Sequence, residues 1–242
     1  GNLHFTPAMS ITGTPDQDQI TGGVLDDTLS GIGDNDTIVG QDGSDIIDGG
    51  AGDDVISGGA DSDDLTGGSG NDTFTGTLAE LDGDVIADFQ AGDVIDLTDV
   101  ALTPEAMSIS EAGGVTTISI DSDGDGVADA SIQLTGTFEP GSITVGGDGN
   151  IHYEPPASIT GTAGDDLITG TPLGDTLSGL AGEDTIIGLE DGDIIDGGAD
   201  ADDLTGGSGN DTFTGTLAEF DGDTIADFEE GDVIDLTDVA LT

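Results

Sequence analysis

The chain has 242 residues, of which 53 are acidic and none is Lys or Arg, so its formal net charge is −53. Nucleic acids and anionic membrane surfaces are excluded as direct partners, because proteins bind both through Lys and Arg. There is no Cys for a disulfide or a thiolate metal site, and no segment approaches the roughly 20 apolar residues of a membrane span, so membrane insertion is not expected.

Residues 1–10 resemble a later part of the chain. Gly1–Pro7 (GNLHFTP) align with 149–155 (GNIHYEP), and the tetrapeptide ITGT at 11–14 recurs 148 residues on. We interpret residues 1–10 as the tail of a preceding repeat unit, and the chain as an excerpt of a longer array. The alternative is a complete protein whose two halves were duplicated with ragged ends.

Residues 11–75 form the first of two predicted rolls. Seven nonapeptides follow one another from Gly13 to Thr75, each with Gly first, Asp sixth and an aliphatic residue or Phe eighth. The sixth positions are Asp18, Asp27, Asp36, Asp45, Asp54, Asp63 and Asp72, and the eighth are Ile20, Leu29, Ile38, Ile47, Ile56, Leu65 and Phe74. This G-G-x-G-x-D-x-U-x pattern predicts a parallel β-roll that contains calcium.

Two segments without Gly-rich turns follow this roll. Residues 76–103 keep the nine-residue step in Asp84-Val-Ile86 and Asp93-Val-Ile95, which predicts a cap over the end of a solenoid. Residues 104–158 alternate polar and apolar side chains at 115–120 and 130–134. This period of two predicts a β-hairpin or small β-sandwich module between the rolls.

The module contains an acidic loop. Asp121, Asp123, Asp125 and Asp129 occupy the first, third, fifth and ninth positions of a segment like the front of an EF-hand calcium loop. The twelfth position is Ile132 rather than Glu, and predicted strands replace the flanking helices. A calcium-binding hairpin loop and a solvated acidic turn therefore both stay open.

Residues 159–214 form the second predicted roll and residues 215–242 its cap. Six nonapeptides run from Gly161 to Thr214. Residues 60–103 and 199–242 are identical at 39 of 44 positions, and the second roll is shorter by nine residues, which supports the nonapeptide as the physical unit. The sixth positions are Asp166, Asp175, Asp184, Asp193, Asp202 and Asp211, and the eighth are Ile168, Leu177, Ile186, Ile195, Leu204 and Phe213.

The spacing indicates how these residues would bind a metal. Gly-rich turns admit left-handed φ/ψ values and bring backbone carbonyls together, while three residues around Phe74 form a short strand with Phe74 inside. Two nonapeptides make one coil, so Asp54 stacks on Asp72, and carboxylates with turn carbonyls form all-oxygen sites. Such ligands favour Ca2+ over Mg2+. Because the chain is highly charged and poor in aromatics, we expect it to fold only when cations bind.

The nonapeptides resemble those of the RTX (repeats-in-toxin) family of type I-secreted bacterial proteins, and segments 85–97 and 224–236 are similar to the cap of many RTX rolls. The resemblance implies an all-β fold of two parallel β-roll solenoids with C-terminal caps, calcium-dependent folding, and a secreted, extracellular or cell-surface location. It further implies that each Ca2+ is held by sixth-position Asp residues 18 apart and by turn carbonyls. About five ions are then expected in the first roll and about four in the second.

Several turns depart from the pattern. The early turns are therefore expected to bind weakly or to adopt altered loops, and the best sites to involve Asp54, Asp72 and Asp211. Replacements of the second Gly include Thr14, Ile32, Gln41, Thr162, Leu180 and Leu189, and replacements of the fourth-position Gly include Asp16, Leu25, Asp34, Asp61, Asp191 and Asp200.

No catalytic motif accompanies the repeats. H-E-x-x-H, G-x-S-x-G, a Cys nucleophile and a phosphate-cradling Lys are all missing, so no enzyme activity is expected within these residues. Three functions stay open: a calcium-folded structural segment of a secreted bacterial surface protein (adhesin stalk, surface layer or extracellular filament), the secretion and folding module of a type I-secreted hydrolase or toxin, and a calcium-sequestering or ligand-binding module. The long repeat favours the first. Neighbouring units of the same array are the expected partners, and strand pairing between copies would build a head-to-tail filament.

Overall fold

The computed structural model describes residues 7–138 and 141–238, so expectations that fall on 1–6, within the predicted tail, and on 139–140 and 239–242 lie outside the described residues. The described chain is all-β apart from one short 3₁₀ helix at Pro104–Ala106. It divides into two compact units, Gly1–Glu154 and Pro155–Thr242. Among the described residues, no helix is long and apolar enough to cross a membrane.

The first unit is built from short strands. They are β1 (Ser10–Thr12), β2 (Gln19–Thr21), β3 (Thr28–Ser30), β4 (Thr37–Asp42), β5 (Ile46–Ala51), β6 (Val55–Ala60), β7 (Asp64–Ser69), β8 (Thr73–Gly76), β9 (Val85–Ile86), β10 (Val94–Leu97), β11 (Met107–Ala112), β12 (Val115–Ile120), β13 (Ala130–Thr135), β14 (Ile143–Val145) and β15 (Ile151–Tyr153).

The first ten strands alternate between two parallel sheets, so the chain winds as a solenoid. Strands β1, β3, β5, β7 and β9 follow one another in one sheet, and β2, β4, β6, β8 and β10 in the other. Partners lie 18 residues apart, as in Ile56↔Phe74, which is the predicted coil of two nonapeptides. In the last step the spacing grows to 21 residues, as in Phe74↔Ile95, because a longer turn follows β8.

The eighth-position side chains form the core of this roll. Each strand turns one side chain inward and its neighbours outward. Ile38, Ile47, Ile56, Leu65 and Phe74 are all 0% exposed. Burying such a side chain contributes about 1.5–3 kcal/mol of transfer free energy. This apolar column holds the coils in register and thereby fixes the turns along both edges of the roll.

Residues 104–154 extend the two sheets of the first roll. β13 pairs in parallel with β9 and continues through β12 to β11, whereas β15 pairs antiparallel with β10 and then with β14. Ile118 and Leu134 are buried in the same cluster as the core of the roll. The predicted β strands are present, but their apolar faces are buried by continuing the solenoid. Residues 76–103 are thus covered by the module, which itself ends the first unit.

The second unit repeats the solenoid. β16, β18, β20, β22 and β24 form one parallel sheet and β17, β19, β21 and β23 the other. The step is again 18 residues (Ile168↔Ile186) and 21 at the end (Leu204↔Ile225). Its strands are β16 (Ser158–Thr160), β17 (Leu167–Thr169), β18 (Thr176–Ser178), β19 (Thr185–Glu190), β20 (Ile194–Asp196), β21 (Asp203–Ser208), β22 (Thr212–Gly215), β23 (Thr224–Ile225) and β24 (Val233–Leu236).

Candidate metal centre

The sixth-position aspartates lie at the starts of the strands, two residues before the core side chains, and most are buried. Asp18 and Asp166, in the first turn of each roll, are only half-buried. Removing an unpaired carboxylate from water costs several kcal/mol, and this chain has no Lys or Arg to pair with it. The sixth-position aspartates that are at most 2% exposed are Asp27, Asp36, Asp45, Asp54, Asp63, Asp72, Asp175, Asp184, Asp193, Asp202 and Asp211.

One oxygen of each of these buried carboxylates accepts a hydrogen bond from the backbone of the preceding coil. The backbone N–H of Asp36 donates to Oδ1 of Asp54 over 2.7 Å, and the N–H of Asp54 donates to Oδ1 of Asp72 over 2.9 Å. The predicted stacking of aspartates 18 residues apart is therefore present as two ladders in each roll. They run through Asp18, Asp36, Asp54, Asp72 and Asp27, Asp45, Asp63 in the first roll, and through Asp166, Asp184, Asp202 and Asp175, Asp193, Asp211 in the second.

Four further aspartates extend the ladders, and sequence reasoning missed them. The N–H of Asp63 donates to Asp84 over 3.0 Å and that of Asp72 to Asp93 over 2.9 Å. Asp223 and Asp232 have the same place in the second unit. These residues lack a Gly-rich turn, but the Asp two residues before an inward Ile was the signal that would have found them.

The second oxygen of most ladder carboxylates is buried and has no hydrogen-bond partner. An unsatisfied buried acceptor costs about 1–3 kcal/mol, and more when it is charged. These oxygens are the atoms that a bound cation would satisfy. In the described part of the chain they are Oδ2 of Asp36, Asp45, Asp54, Asp63, Asp72, Asp84, Asp184, Asp193, Asp202 and Asp211.

Backbone carbonyls face the same positions. A Cβ added at Gly49 would lie 2.6 Å from the carbonyl oxygen of Gly67, one coil further on, and closer still to Oδ2 of Asp54. The two oxygens therefore border one small volume between successive coils. Glycine is needed at the first position of this turn because any side chain would occupy that volume. A hard cation with all-oxygen ligands, Ca2+ above all, fits this donor set.

Burial changes the ionisation of these carboxyl groups. Desolvation raises the pKa of Asp54, Asp63 and Asp72 to about 6, although the backbone hydrogen bond to each group acts in the opposite direction. The same cause raises the pKa of Asp84 to about 7 and that of Asp193 to about 6. Neighbouring aspartates raise these values further. Protons and cations thus compete for the same oxygens.

Turn conformation divides each roll into two parts. From Gly31 and from Gly179 onward, the second and fourth residues of each nonapeptide have positive φ whether or not they are Gly. Residues 13–30 and 161–178, the first two turns of each roll, contain no residue with positive φ. The altered loops expected for the early turns are therefore found in the first two turns, while later replacements keep the left-handed conformation. Those replacements are Ile32, Asp34, Gln41, Asp61, Leu180, Leu189, Asp191 and Asp200.

In the early turns the chain itself satisfies the second carboxylate oxygen. The hydroxyl of Thr14 donates to Oδ2 of Asp18 over 2.9 Å, and that of Thr162 donates to Asp166 over the same distance. The backbone N–H of Gly23 likewise donates to Oδ2 of Asp27. Left-handed turns and unpartnered oxygens consequently occur together in five turns of the first roll and four of the second.

The acidic loop of the module is only partly assembled. Carboxylate oxygens of Asp121, Asp123 and Asp129 lie within 4.8 Å of one another, and Asp125 is not part of this group. Oδ1 of Asp121 accepts the N–H of Gly124 over 2.8 Å, so local backbone bonds already satisfy it. A hydrogen bond from Ser122 lowers the pKa of the exposed Asp129. The calcium loop and the solvated turn both stay predictions.

Comparison with known proteins gives a family for the nonapeptides. Residues 12–46, 39–74, 158–172, 169–204 and 178–213 match a family model described as the RTX calcium-binding nonapeptide repeat (4 copies). No curated protein matches the chain.

Solved structures add little. The extracellular lipase of Serratia marcescens is 18% identical over 99% of this chain, with a TM-score of 0.28, and this chain spans 34% of its length. Two subunits of the mannuronan C5-epimerase of Azotobacter vinelandii, R2 and R3, are 21% and 27% identical. They cover 54% and 50% of this chain and 85% and 72% of their own, with TM-scores of 0.28 and 0.25. Scores this low do not show a shared overall arrangement.

Proposed function

We propose, on the premise that this chain belongs to the RTX calcium-binding nonapeptide-repeat family, that its two rolls bind Ca2+ along the aspartate ladders and fold when they do so. The observation that carries the proposal is the regular series of buried, unpartnered Oδ2 atoms. In the first roll, Asp54 and the Gly67 carbonyl would hold an ion together. The bound ion supplies the positive charge that the side chains lack.

Electrostatics explains why folding would need the cation. Successive coils of a sheet are about 4.8 Å apart. Two carboxylates at that distance repel by about 3 kcal/mol at the effective dielectric constant of a protein surface. Each ladder repeats this repulsion at every coil, so we expect the ionised, metal-free roll to be unstable at neutral pH. The five and four turns with left-handed geometry support about five ions in the first roll and about four in the second.

We further propose that the segment is a structural, non-catalytic part of a secreted bacterial surface protein, such as an adhesin stalk, a surface layer or an extracellular filament. The long repeat supports this role, because stacked repeats build extended bodies rather than a single reaction centre. An extracellular location is supported by the affinity of such modules, which typically need about 0.1–1 mM calcium. Association with neighbouring copies or units belongs to the same proposal.

Far-UV circular dichroism during a Ca2+ titration, with Mg2+ at matched ionic strength, tests the calcium proposal. We expect a cooperative gain of β signal at about 0.1–1 mM Ca2+ and none with Mg2+. A full β signal in chelator that calcium leaves unchanged would overturn it.

Two adjacent aspartates provide a matched pair of variants. Asp63 is 1% exposed and belongs to a ladder, whereas Asp64 points outward and is exposed. We expect Asp63→Asn to raise the midpoint calcium concentration a few-fold, because an ion loses a charged ligand. In chelator the same variant should instead gain β signal, since a neutral side chain avoids the desolvation that raises the pKa of Asp63. Asp64→Asn should change both measurements much less, because Asp64 affects the ladder only through its charge beside Asp63. Equal effects of the two variants would contradict the ladder as the binding site.

A further inference from the structure

The module of the first unit, residues 104–154, follows the coil on which the aspartate ladders of that unit end. The ladders end at Asp84 and Asp93, beside β9 and β10. The module is built directly onto this last coil, because β13 pairs in parallel with β9 and β15 pairs antiparallel with β10. Both halves of the module, β11–β13 and β14–β15, therefore start from a strand of the coil that carries the last ladder carboxylates.

Neither half of the module has enough packing partners of its own. The two halves belong to different sheets, and an isolated two-stranded hairpin such as β14–β15 is at best marginally stable in water. A segment as short as the module also buries too small a fraction of its surface to be more than marginally stable. Its inward side chains, for example Ile132 and Ile151, are 0% exposed and belong to the same cluster as the core of the roll. If the roll were unfolded, these side chains would lose that core.

Asp84 connects the ladder to the module through different atoms of one residue. Its Oδ1 accepts the backbone N–H of Asp63 over 3.0 Å, whereas its carbonyl oxygen accepts the backbone N–H of Gln133 over 2.8 Å. In the described part of the chain, Oδ2 of Asp84 is buried without a hydrogen-bond partner. An ion bound to this carboxylate would therefore fix the same backbone segment with which β13 pairs.

A row of aromatic rings makes a second connection, through the core. The ring of Phe74, in the last nonapeptide of the roll, lies 6.3 Å from that of Phe89 in the following coil. Phe89 lies 6.4 Å from Tyr153 of β15, and Tyr153 lies 4.8 Å from Phe138, edge to face. Centroid distances of this size are typical of favourable aromatic pairs. The environment of Tyr153 thus depends on the roll, on its last coil and on the module together.

We infer that calcium bound in the first roll controls the folding of the module, which follows the last ladder carboxylates in the chain. Without the ions the ladder carboxylates repel one another and the last coil is not formed, so β13 and β15 lack the strands with which they pair. When the ions bind, the module folds on the new coil. The acidic loop joins β12 to β13, and its carboxylates therefore come together only after the roll has bound calcium. This inference rests on the proposed function, because it requires a roll that calcium folds.

Tyr153 reports on the module alone, because it is the only Tyr of a chain that has no Trp. Tyrosine fluorescence and near-UV circular dichroism are measured during a Ca2+ titration of the whole chain, with far-UV circular dichroism of the same samples. In chelator we expect no near-UV tyrosine signal, since that signal requires fixed side-chain packing. The signal should then appear over the calcium concentrations at which the β signal rises. A native-like Tyr153 signal in chelator would overturn the inference.

Three substitutions of the same kind identify the ions that control the module. Asp72→Asn removes a ladder charge from the first roll, and it should raise the midpoint calcium concentration of the Tyr153 signal a few-fold or abolish the signal. Asp211→Asn makes the matching change in the second roll, and Asp121→Asn removes a charge from the acidic loop. Both should affect the Tyr153 signal much less. If either affected it as strongly as Asp72→Asn does, the first roll would not be the controlling element.

The two circular dichroism signals distinguish failure of this inference from failure of the proposed function. If calcium gives no gain of β signal in the far UV, the proposed function is wrong and this inference is wrong with it. If the β signal rises but the Tyr153 signal does not respond to calcium, the rolls fold without controlling the module. In that case only this inference is overturned.

Discussion

Leu189 has a φ of 105°, a left-handed conformation that costs an L-residue about 1–2 kcal/mol. It occupies the second position of its nonapeptide, where the repeat pattern places Gly. The stacked coil requires this conformation whether or not the residue favours it, since Gly207, which pairs with Leu189 one coil further on, adopts it as well, with a φ of 106°. The left-handed conformation of non-glycine residues in the turns therefore stores local strain. The stabilisation from the core and from any bound ions must offset this cost.

Replacing Leu189 by Gly should therefore stabilise the second roll by about 1 kcal/mol, because relief of the left-handed strain outweighs the added flexibility of the unfolded chain. Leu25 is the matched control, since it is also 38% exposed but lies in a turn without positive φ. Leu25→Gly should destabilise by about 0.5–1 kcal/mol. Thermal unfolding in excess calcium measures both changes in stability. A loss of stability in both variants would show that the backbone of Leu189 is not strained.

At the scale of the single coil, ladder protonation predicts an unusual pH dependence. In the metal-free fold the pKa of Asp54, Asp63 and Asp72 is about 6 and that of Asp84 about 7, compared with 3.8 ordinarily. The fold therefore binds protons more tightly than the unfolded chain does. This contribution to stability is complete below pH 3.8 and is lost as the pH rises through 6 to 7.

In chelator, we accordingly expect more β signal at about pH 5 than at about pH 7.5. In calcium the direction reverses, because protons compete with the ion for the same oxygens, and the midpoint calcium concentration should rise as the pH falls. Circular dichroism titrations at both pH values measure this, with light scattering to exclude aggregation near the isoelectric point of 4.1. A metal-free signal that does not depend on pH would show that the ladder carboxyls are not buried in that state.

The coil itself could be predicted from the sequence, because the nine-residue repeat and the 18-residue coil that two repeats make both involve only short stretches of the chain. A nonapeptide that alternates turn and strand places Asp54 above Asp72 without reference to any distant segment. The caps were harder, since Asp84 and Asp93 enter the ladders through a 21-residue step that the nonapeptide pattern does not encode. A local pattern could not predict which strands residues 104–154 pair with. That pairing joins Val85 to Gln133, which is distant in the sequence.

The position of a turn within its roll also affects its conformation, and residue type alone does not predict this effect. Gly23 and Gly164 could adopt left-handed φ at no cost, yet neither does. Both lie in the first two turns of a roll, where no earlier nonapeptide of that roll lies one coil below. Turn geometry in this protein is therefore set by stacking on the preceding coil as well as by the residue type. A prediction from residue type alone would give Gly23 and Gly164 a positive φ, which neither has.

At the scale of the whole molecule, the charge of −53 predicts a large change in dimensions. An unfolded chain of this length has a radius of gyration of about 54 Å, and like charges extend it further. We expect small-angle X-ray scattering to give a value of this order in chelator and a much smaller one in millimolar calcium. Sodium chloride at high concentration is the control, because it screens the charges without occupying the ladder sites. Equal compaction by salt and by calcium would mean that screening alone folds the chain.

Because one nonapeptide makes half a coil, the number of repeats determines on which side a roll finishes. In the first roll, with seven nonapeptides, β1 and β8 lie in opposite sheets; in the second, with six, β16 and β22 lie in the same sheet. Gaining or losing nine residues therefore rotates the exit of the chain by half a revolution about the solenoid axis, while the length changes by only about 2.4 Å. Duplication or deletion of a single repeat leaves the core and the ladders intact but redirects everything downstream. In such an array, repeat number sets orientation as well as reach.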